Sequence, residues 1–317
     1  MSRLTNQYLT SLPPTPLVPI RLDAAAATIW CKLDFMQPSG STKDRIARHI
    51  LGKALESGRL KAGGRVIEAS SGSSAVAFAL ACAQLQLRFV AVMPEGVSAD
   101  RVQIIRAYGH EVRLTERAAG VVGAVAESVR IATEPGDFLP CQFENLDNAE
   151  AHQLYTAAEI LEQIPGGKVD AVVSGVGTGG TLVGLFNGLR SSNPKVRPFV
   201  ARPIEVPEPV EAECCSFGVG CSNFSSRIPG VVDCASRIFR DADLPDLAVI
   251  DVPYRDAMEV TRKLIRLGVP VGPSSGLNFH AAVQAFSQLN EPDAKIVTVF
   301  PDRMERHLSG ELFRDLS

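Results

Sequence analysis

Val169-Asp170-Ala171-Val172-Val173-Ser174-Gly175-Val176-Gly177-Thr178-Gly179-Gly180-Thr181 runs from an apolar, β-branched stretch into a glycine-rich turn, and an apolar helical stretch, 182–189, follows it. Val169–Ser174 lacks the polar alternation of a half-exposed strand, so it reads as a strand covered on both faces, as in a parallel sheet. The same reading applies to Val66–Ala69, Phe89–Met93, Glu111–Leu114, Leu247–Val252 and Ile296–Phe300. Between them, Ile46, Ala47, Ile50, Leu51, Ala54 and Leu55 recur at helical spacing, as do Ala257, Val260, Leu264 and Ile265. Strands alternating with helices predict an α/β fold built on mostly parallel sheet. Ala201–Pro209, with three prolines, is expected to cross the surface as a linker or loop.

The chain has 317 residues, near the practical limit for one hydrophobic core, which predicts two lobes. Its 32 basic and 35 acidic residues give a formal charge of −3, with no long basic run. That balance provides no electrostatic footprint for nucleic acid or an anionic membrane, and small-molecule chemistry is the expected function. The longest apolar stretches, such as Ala75–Ala83, are about half of the roughly 20 residues that span a bilayer. The polar first residues do not read as a signal peptide, so a soluble, cytoplasmic protein is expected. Seven cysteines, an odd number in a chain too long to need staples, predict reduced thiols.

Glycines let backbone N–H groups converge on an anion, and a helix N-terminus adds partial positive charge. Gly175–Thr181 therefore reads as a phosphate cradle, with Thr178 and Thr181 offering hydroxyls. The spacing of Gly175, Gly177 and Gly180 also satisfies the dinucleotide pattern, and a plain turn is the third reading. Pro38-Ser39-Gly40-Ser41-Thr42-Lys43-Asp44-Arg45 opens a helix, with Ser41 or Thr42 as the expected cap. Lys43 is then either a solvated lysine or a desolvated amine fit for bonding to an aldehyde. Glu68-Ala69-Ser70-Ser71-Gly72-Ser73-Ser74 joins a strand to the helix over 75–85, and reads either as a carboxylate-holding loop or as a serine-rich cap. Gly272-Pro273-Ser274-Ser275-Gly276 forms another Ser/Gly turn, ahead of a helix near 279–289.

Taken together and in this order, these segments resemble the cysteine synthase family of fold-type II pyridoxal-phosphate enzymes, and the match runs most of the chain. Thr15-Pro16-Leu17-Val18 is similar to the family's "NTPLV" start, Gly40–Arg45 to its cofactor-lysine segment, and Ser70–Ser74 to its "TSGNT" loop. Gly177-Thr178-Gly179-Gly180-Thr181 is identical to its phosphate loop, Gln142-Phe143 matches its "QF" pair, and Pro301-Asp302 the start of its "PDSG" segment. The resemblance implies a two-lobed, tryptophan synthase β-like fold. Residues 33–141 would form a smaller mobile lobe, and 1–32 with 142–317 a larger lobe carrying the phosphate loop. It implies pyridoxal 5'-phosphate on Lys43, which is also the base for the α-proton. Ser73, Gly175, Gly177, Thr178, Gly179, Gly180, Thr181 and Ser274 would hold that cofactor, with Ser274 at the pyridine nitrogen. Ser70, Ser71, Gly72, Ser74 and Gln142 would hold the amino acid. The implied reaction is β-replacement on an activated serine such as O-acetylserine or O-phosphoserine, with sulfide or another small nucleophile; β-elimination, as in cysteine desulfhydrase, is the alternative. A homodimer is also implied.

Three positions depart from the family pattern. Ser73 stands where the family has an asparagine, and some cysteine desulfhydrases share this "EASSGS" stretch. Ser222–Arg227 replaces a glycine-rich substrate loop, and Arg227 is either a surface arginine or a ligand for a substrate anion. Arg303 replaces the serine of "PDSG". Cys214, Cys215, Cys221 and Cys234 lack zinc spacing, and the histidines show no ligand-like spacing, so no metal is expected; His152 reads as structural. A nicotinamide enzyme would need an acidic residue after a second strand, and Glu205, the candidate, follows no evident one. A non-catalytic ligand-binding descendant is the remaining alternative.

Overall fold

The computed structural model describes residues 12–23, 27–70, 72–205, 228–231, 236–308 and 310–316. Nine strands are described: β1 Leu17–Ile20, β2 Ile29–Lys32, β3 Arg65–Ala69, β4 Arg88–Pro94, β5 Glu111–Thr115, β6 Ala171–Ser174, β7 Arg197–Ile204, β8 Ala248–Pro253 and β9 Ile296–Val299. The described α-helices are α1 Lys43–Glu56, α2 Ser73–Gln84, α3 Ala99–Ala107, α4 Gly120–Ile131, α5 Asp147–Ala151, α6 Ala157–Gln163, α7 Gly180–Leu189, α8 Arg237–Arg240, α9 Tyr254–Arg266 and α10 Pro273–Leu289. A π-helical turn, His152–Thr156, joins α5 to α6. No described helix is long and apolar enough to cross a membrane.

Two sheets result. One has the order β1-β2-β9-β6-β7-β8 and is parallel except for the β1–β2 pair; the other is parallel, in the order β3-β4-β5. In β6, successive side chains point to opposite faces. Ala171 and Val173 join a core with Ala257, Leu264, Leu277 and Ala281 of α9 and α10. Val172 joins the opposite core with Ile160, Leu182, Leu185 and Phe186 of α6 and α7. The small sheet is covered on one face by Ile46, Ile50, Ala77 and Phe78 of α1 and α2, and on the other by Ala124 of α4. Each fully buried Ile, Leu or Phe stabilises this layering by roughly 1.5–3 kcal/mol.

Three expectations are corrected. Much of the proline-rich 201–209 stretch is not a loop: through Ile204 it belongs to β7, an inner strand of the large sheet. Its prolines sit where only one neighbour pairs. Pro198 registers with Val172 before pairing to β8 begins at Phe199, and Pro203 registers with Val252 after pairing to β6 has ended at Val200. Glu205 accordingly does follow a strand. The Ser274-Ser275-Gly276 turn is the first turn of α10, which begins at Pro273 because a proline at a helix start gives up no needed N–H. Finally, neither expected cap closes α1: the Thr42 hydroxyl goes to Asp34, and Ser41 Oγ accepts only a long 3.4 Å bond from the Lys43 N–H.

Candidate active site

The root of Lys43 is a buried ion network. Asp34 accepts from Thr42 Oγ1 at 2.8 Å, Thr15 Oγ1 at 2.9 Å, and Arg45 Nε and Nη2 at 3.0 and 2.8 Å. Arg45 also donates to Glu159 at 2.7 Å, and Glu159 takes the fully buried Lys32 at 2.7 Å. Burial alone would raise the Asp34 pKa, but the Arg45 charge and hydrogen bonds hold it at about 2. The Thr42 N–H donates to Pro301 O at 2.8 Å, pinning the start of α1 to the end of β9. Lys43, half-buried on the wall of a cavity of about 500 Å3, has its pKa lowered by burial, against the pull of Asp302 and Asp34.

The glycine loop lines the same cavity through Gly175, Gly177, Thr178, Gly179 and Thr181. The Gly175 N–H donates to Asn278 Oδ1 at 2.7 Å, Asn148 Nδ2 donates to Thr178 Oγ1 at 3.0 Å, and Ser236 Oγ donates to Thr178 O. His152, fully buried and kept neutral by burial with a pKa of about 3, bridges Thr156 Oγ1 at 3.0 Å and Thr181 Oγ1 at 3.2 Å. A Cβ on Gly177 would lie 2.2 Å from Gly230 O, and one on Gly180 1.9 Å from Asn148 Oδ1. Gly180 is not on the cavity wall; it lets α7 pack on Asn148. Such a cradle at a helix N-terminus fits a phosphate.

Ser70, Gly72, Ser73, Ser74 and Gln142 line the cavity opposite, and Ser274 lines it from α10. Ser70 Oγ accepts from the Gly72 and Ala75 N–H groups at 3.1 and 3.2 Å. Gln142 braces this loop from below, accepting from Ser74 Oγ at 2.5 Å and donating to Ala69 O at 2.7 Å. Glu68 accepts from the Ala69 and Gln142 N–H groups at 2.8 and 3.2 Å, and burial raises its pKa to about 8 despite them. Ser73 Oγ, in the place of the family asparagine, accepts from Arg306 Nη1 at 3.4 Å. Arg303 lies off the cavity and pairs with Glu305 at 2.6 Å. Asp302 does line the cavity and bonds His307 at 3.0 Å.

Ser71 and Arg227 lie outside the described residues, as do Cys214, Cys215, Cys221 and Cys234; Cys31 and Cys82 are buried free thiols and Cys141 an exposed one. The fold does bring His49, Asp147 and Glu150 together, against the expectation from spacing, but Lys53 Nζ sits 2.5 Å from both carboxylates and takes the place of a cation. Asp34, Glu68, Asn148, Ser236 and Asn278 were not visible as site residues. Their roles come from partners far along the chain, and only Glu68, beside the serine loop, carried any local signal.

The fold is that of a fold-type II pyridoxal-phosphate enzyme, and residues 9–302 match the family model described as "Pyridoxal-phosphate dependent enzyme". The chain belongs to that family and is a pyridoxal-phosphate-dependent enzyme. It is 34% identical over 307 residues to a cysteine synthase of Staphylococcus aureus, covering 94% of each chain, and 35% identical over 303 residues to cysteine synthase B of Campylobacter jejuni, covering 94% of this chain and 95% of that one. Among solved structures, the O-acetylserine-dependent cystathionine β-synthase of Helicobacter pylori is similar with a TM-score of 0.83 and 29% identity, covering 96% of this chain and 98% of that one. A hydrogen sulfide-producing enzyme of Fusobacterium nucleatum gives 0.84 and 30%, covering 97% and 91%.

Proposed function

We propose that the protein catalyses β-replacement on an activated serine of the O-acetylserine or O-phosphoserine type, with sulfide or another small nucleophile as acceptor. The observation that carries this reading is one cavity lined by Lys43, the glycine cradle, Ser274 and Ser70, Gly72, Ser73 and Ser74. Relatives named cysteine synthase over nearly the whole chain support it.

When bound, pyridoxal phosphate supplies an electron sink that acidifies the α-carbon of an amino acid. Gly175, Gly177, Thr178, Gly179 and Thr181 would form the cradle for its phosphate, with Gly180 letting α7 pack behind it and Ser274 and Ser73 toward its ring. Lys43 Nζ is the group that bonds it. Burial lowers the proton affinity of that amine and so favours its neutral, basic form, and it is the group that would take the α-proton. Ser70, Ser71, Gly72 and Ser74 orient the substrate's carboxylate end, with Gln142 bracing the loop and Arg227 as a ligand for a substrate anion. The leaving group then departs from the β-carbon. Addition of the acceptor would complete replacement; release of the unsaturated product instead, with water converting it to pyruvate and ammonia, would be elimination. Elimination is the second reading, favoured by Ser73 and by the similarity to a hydrogen sulfide-producing enzyme. The same proposal takes residues 33–141 as the lobe that closes over substrate, a homodimer as the assembly and the cytoplasm as the location.

Protein supplied with pyridoxal phosphate is expected to gain a visible absorbance band, with borohydride trapping the cofactor on Lys43; Lys43→Ala loses both. Trapping on another residue, or none, overturns the proposal. Comparing pyruvate with replacement product, with O-acetylserine or O-phosphoserine as donor and sulfide as acceptor, separates the two readings.

A further inference from the structure

Asp302 stands on the wall of the same cavity as Lys43, is only 6% exposed, and has no part in the steps proposed above. Backbone bonds fix it on two sides. Ser41 and Asp302 form an isolated antiparallel bridge, flanked by the Thr42 N–H donating to Pro301 O at 2.8 Å and the Arg303 N–H donating to Gly40 O at 3.2 Å. On the other side the Gly272 N–H donates to Asp302 O at 3.0 Å, and the Met304 N–H to Pro270 O at 3.2 Å. Asp302 is thereby held between the segment that carries Lys43 and the start of α10. Gly272 leaves room for its carboxylate, since a Cβ there would lie 2.3 Å from Asp302 Oδ1 and 2.6 Å from His307 Nε2. His307 bonds one carboxylate oxygen, Oδ2, at 3.0 Å. The other, Oδ1, is buried and has no hydrogen-bond partner among the described residues. A buried carboxylate oxygen in that condition is costly until a donor reaches it.

We propose that Asp302 is a positioning residue for Lys43, its unpaired oxygen being the seat of the lysine ammonium whenever that amine is not bonded to the cofactor. This rests on the reaction proposed above. Lys43 is two residues past the bridged Ser41, both side chains line one cavity, and a lysine head rides on a flexible four-carbon stem that can swing to Oδ1. In the reaction the proton leaves the α-carbon for Lys43 Nζ and the electron pair stays on the substrate. Asp302 takes no proton; it holds the ammonium so formed until the amine is needed again. The charges agree. Burial disfavours the Lys43 ammonium, and of the two carboxylates that oppose burial, Asp302 acts more strongly than Asp34. Burial would also raise the Asp302 pKa, but His307, Arg306 and Arg101 lower it, so the carboxylate is ionised when Lys43 needs a counter-charge.

The test follows capture of pyridoxal phosphate by the full-length protein stripped of cofactor. The rate at which the visible absorbance band appears is measured from pH 6 to 10, with borohydride trapping to show that the adduct is on Lys43. Only the neutral amine attacks an aldehyde, so the rate rises through the Lys43 pKa, and titration of the free cofactor is common to all variants. Asp302→Asn should move the midpoint down by about one pH unit, because loss of a nearby negative charge leaves more of the amine neutral at a given pH. Asp302→Glu, which keeps the charge, should stay near the wild-type midpoint. Asp302→Ser, smaller and neutral, replaces the asparagine variant if that one does not fold. An unchanged midpoint in the neutral variant overturns the inference alone, and so does a glutamate variant that shifts as far as the neutral one. Failure of the wild type to form lysine-bound cofactor overturns it together with the reaction it rests on.

Discussion

Glu68 makes the stability of this protein fall with pH in a way one substitution should abolish. Burial raises its carboxyl from 4.5 to about 8, so between those values the native state keeps a proton that the unfolded chain has lost. Stability from this group is fully present below about pH 4.5 and is lost as pH rises toward 8, at about 1.36 kcal/mol per pH unit, or about 5 kcal/mol across the window. Glu68→Gln removes the titration but turns an amide donor toward either the Ala69 or the Gln142 N–H, which costs about 1–3 kcal/mol. The variant should therefore be the less stable protein near pH 5 and the more stable one at pH 8. Urea unfolding of both proteins from pH 5 to 8 reads this directly, and taking the difference cancels every other titrating group. Equal slopes would refute the argument. Above pH 8 the ionised carboxylate would also lie under the serine loop and weaken amino-acid binding.

Asp34→Ala leaves the buried Arg45 guanidinium with one carboxylate instead of two and frees Thr42. Unfolding free energy should drop by about 3–5 kcal/mol, and a loss below 1 kcal/mol would mean that the network does not hold the root of Lys43. Gly177→Ala forces a methyl against a backbone oxygen at 2.2 Å, so the fold should survive while pyridoxal phosphate binds at least about 10-fold more weakly in an absorbance titration. Unchanged affinity would show that the cradle does not hold the phosphate.

The sequence revealed the strands that are apolar runs, and it revealed the segments that the fold sets around the cavity, because glycine, serine and lysine at strand and helix ends carry local signals. It hid what depends on distant partners. β2 contains Lys32, which looks wrong for a buried strand until Glu159 arrives from α6 to pair with it. The end of β7 reads as part of the proline-rich 201–209 loop, and the tolerance of Pro198 and Pro203 within the strand follows from staggered neighbours that no local pattern encodes. Glu68 and Asn148 look like ordinary polar residues; the Gln142 N–H that one accepts and the Thr178 hydroxyl that the other supports are visible only once the chain is folded.

The order of the large sheet has a bearing on how the chain is made. β9 is the last of the described strands to be synthesised, yet it lies between β2 and β6. Until residue 299 has emerged, the β1–β2 hairpin and the β6-β7-β8 block have no strand to join them, and both flanks of the gap carry unpaired backbone groups. Vectorial synthesis therefore gives the β3-β4-β5 layer time to form first and leaves the larger one open to holding chaperones, so that truncations before Ile296 should yield nascent chains that aggregate rather than a working half.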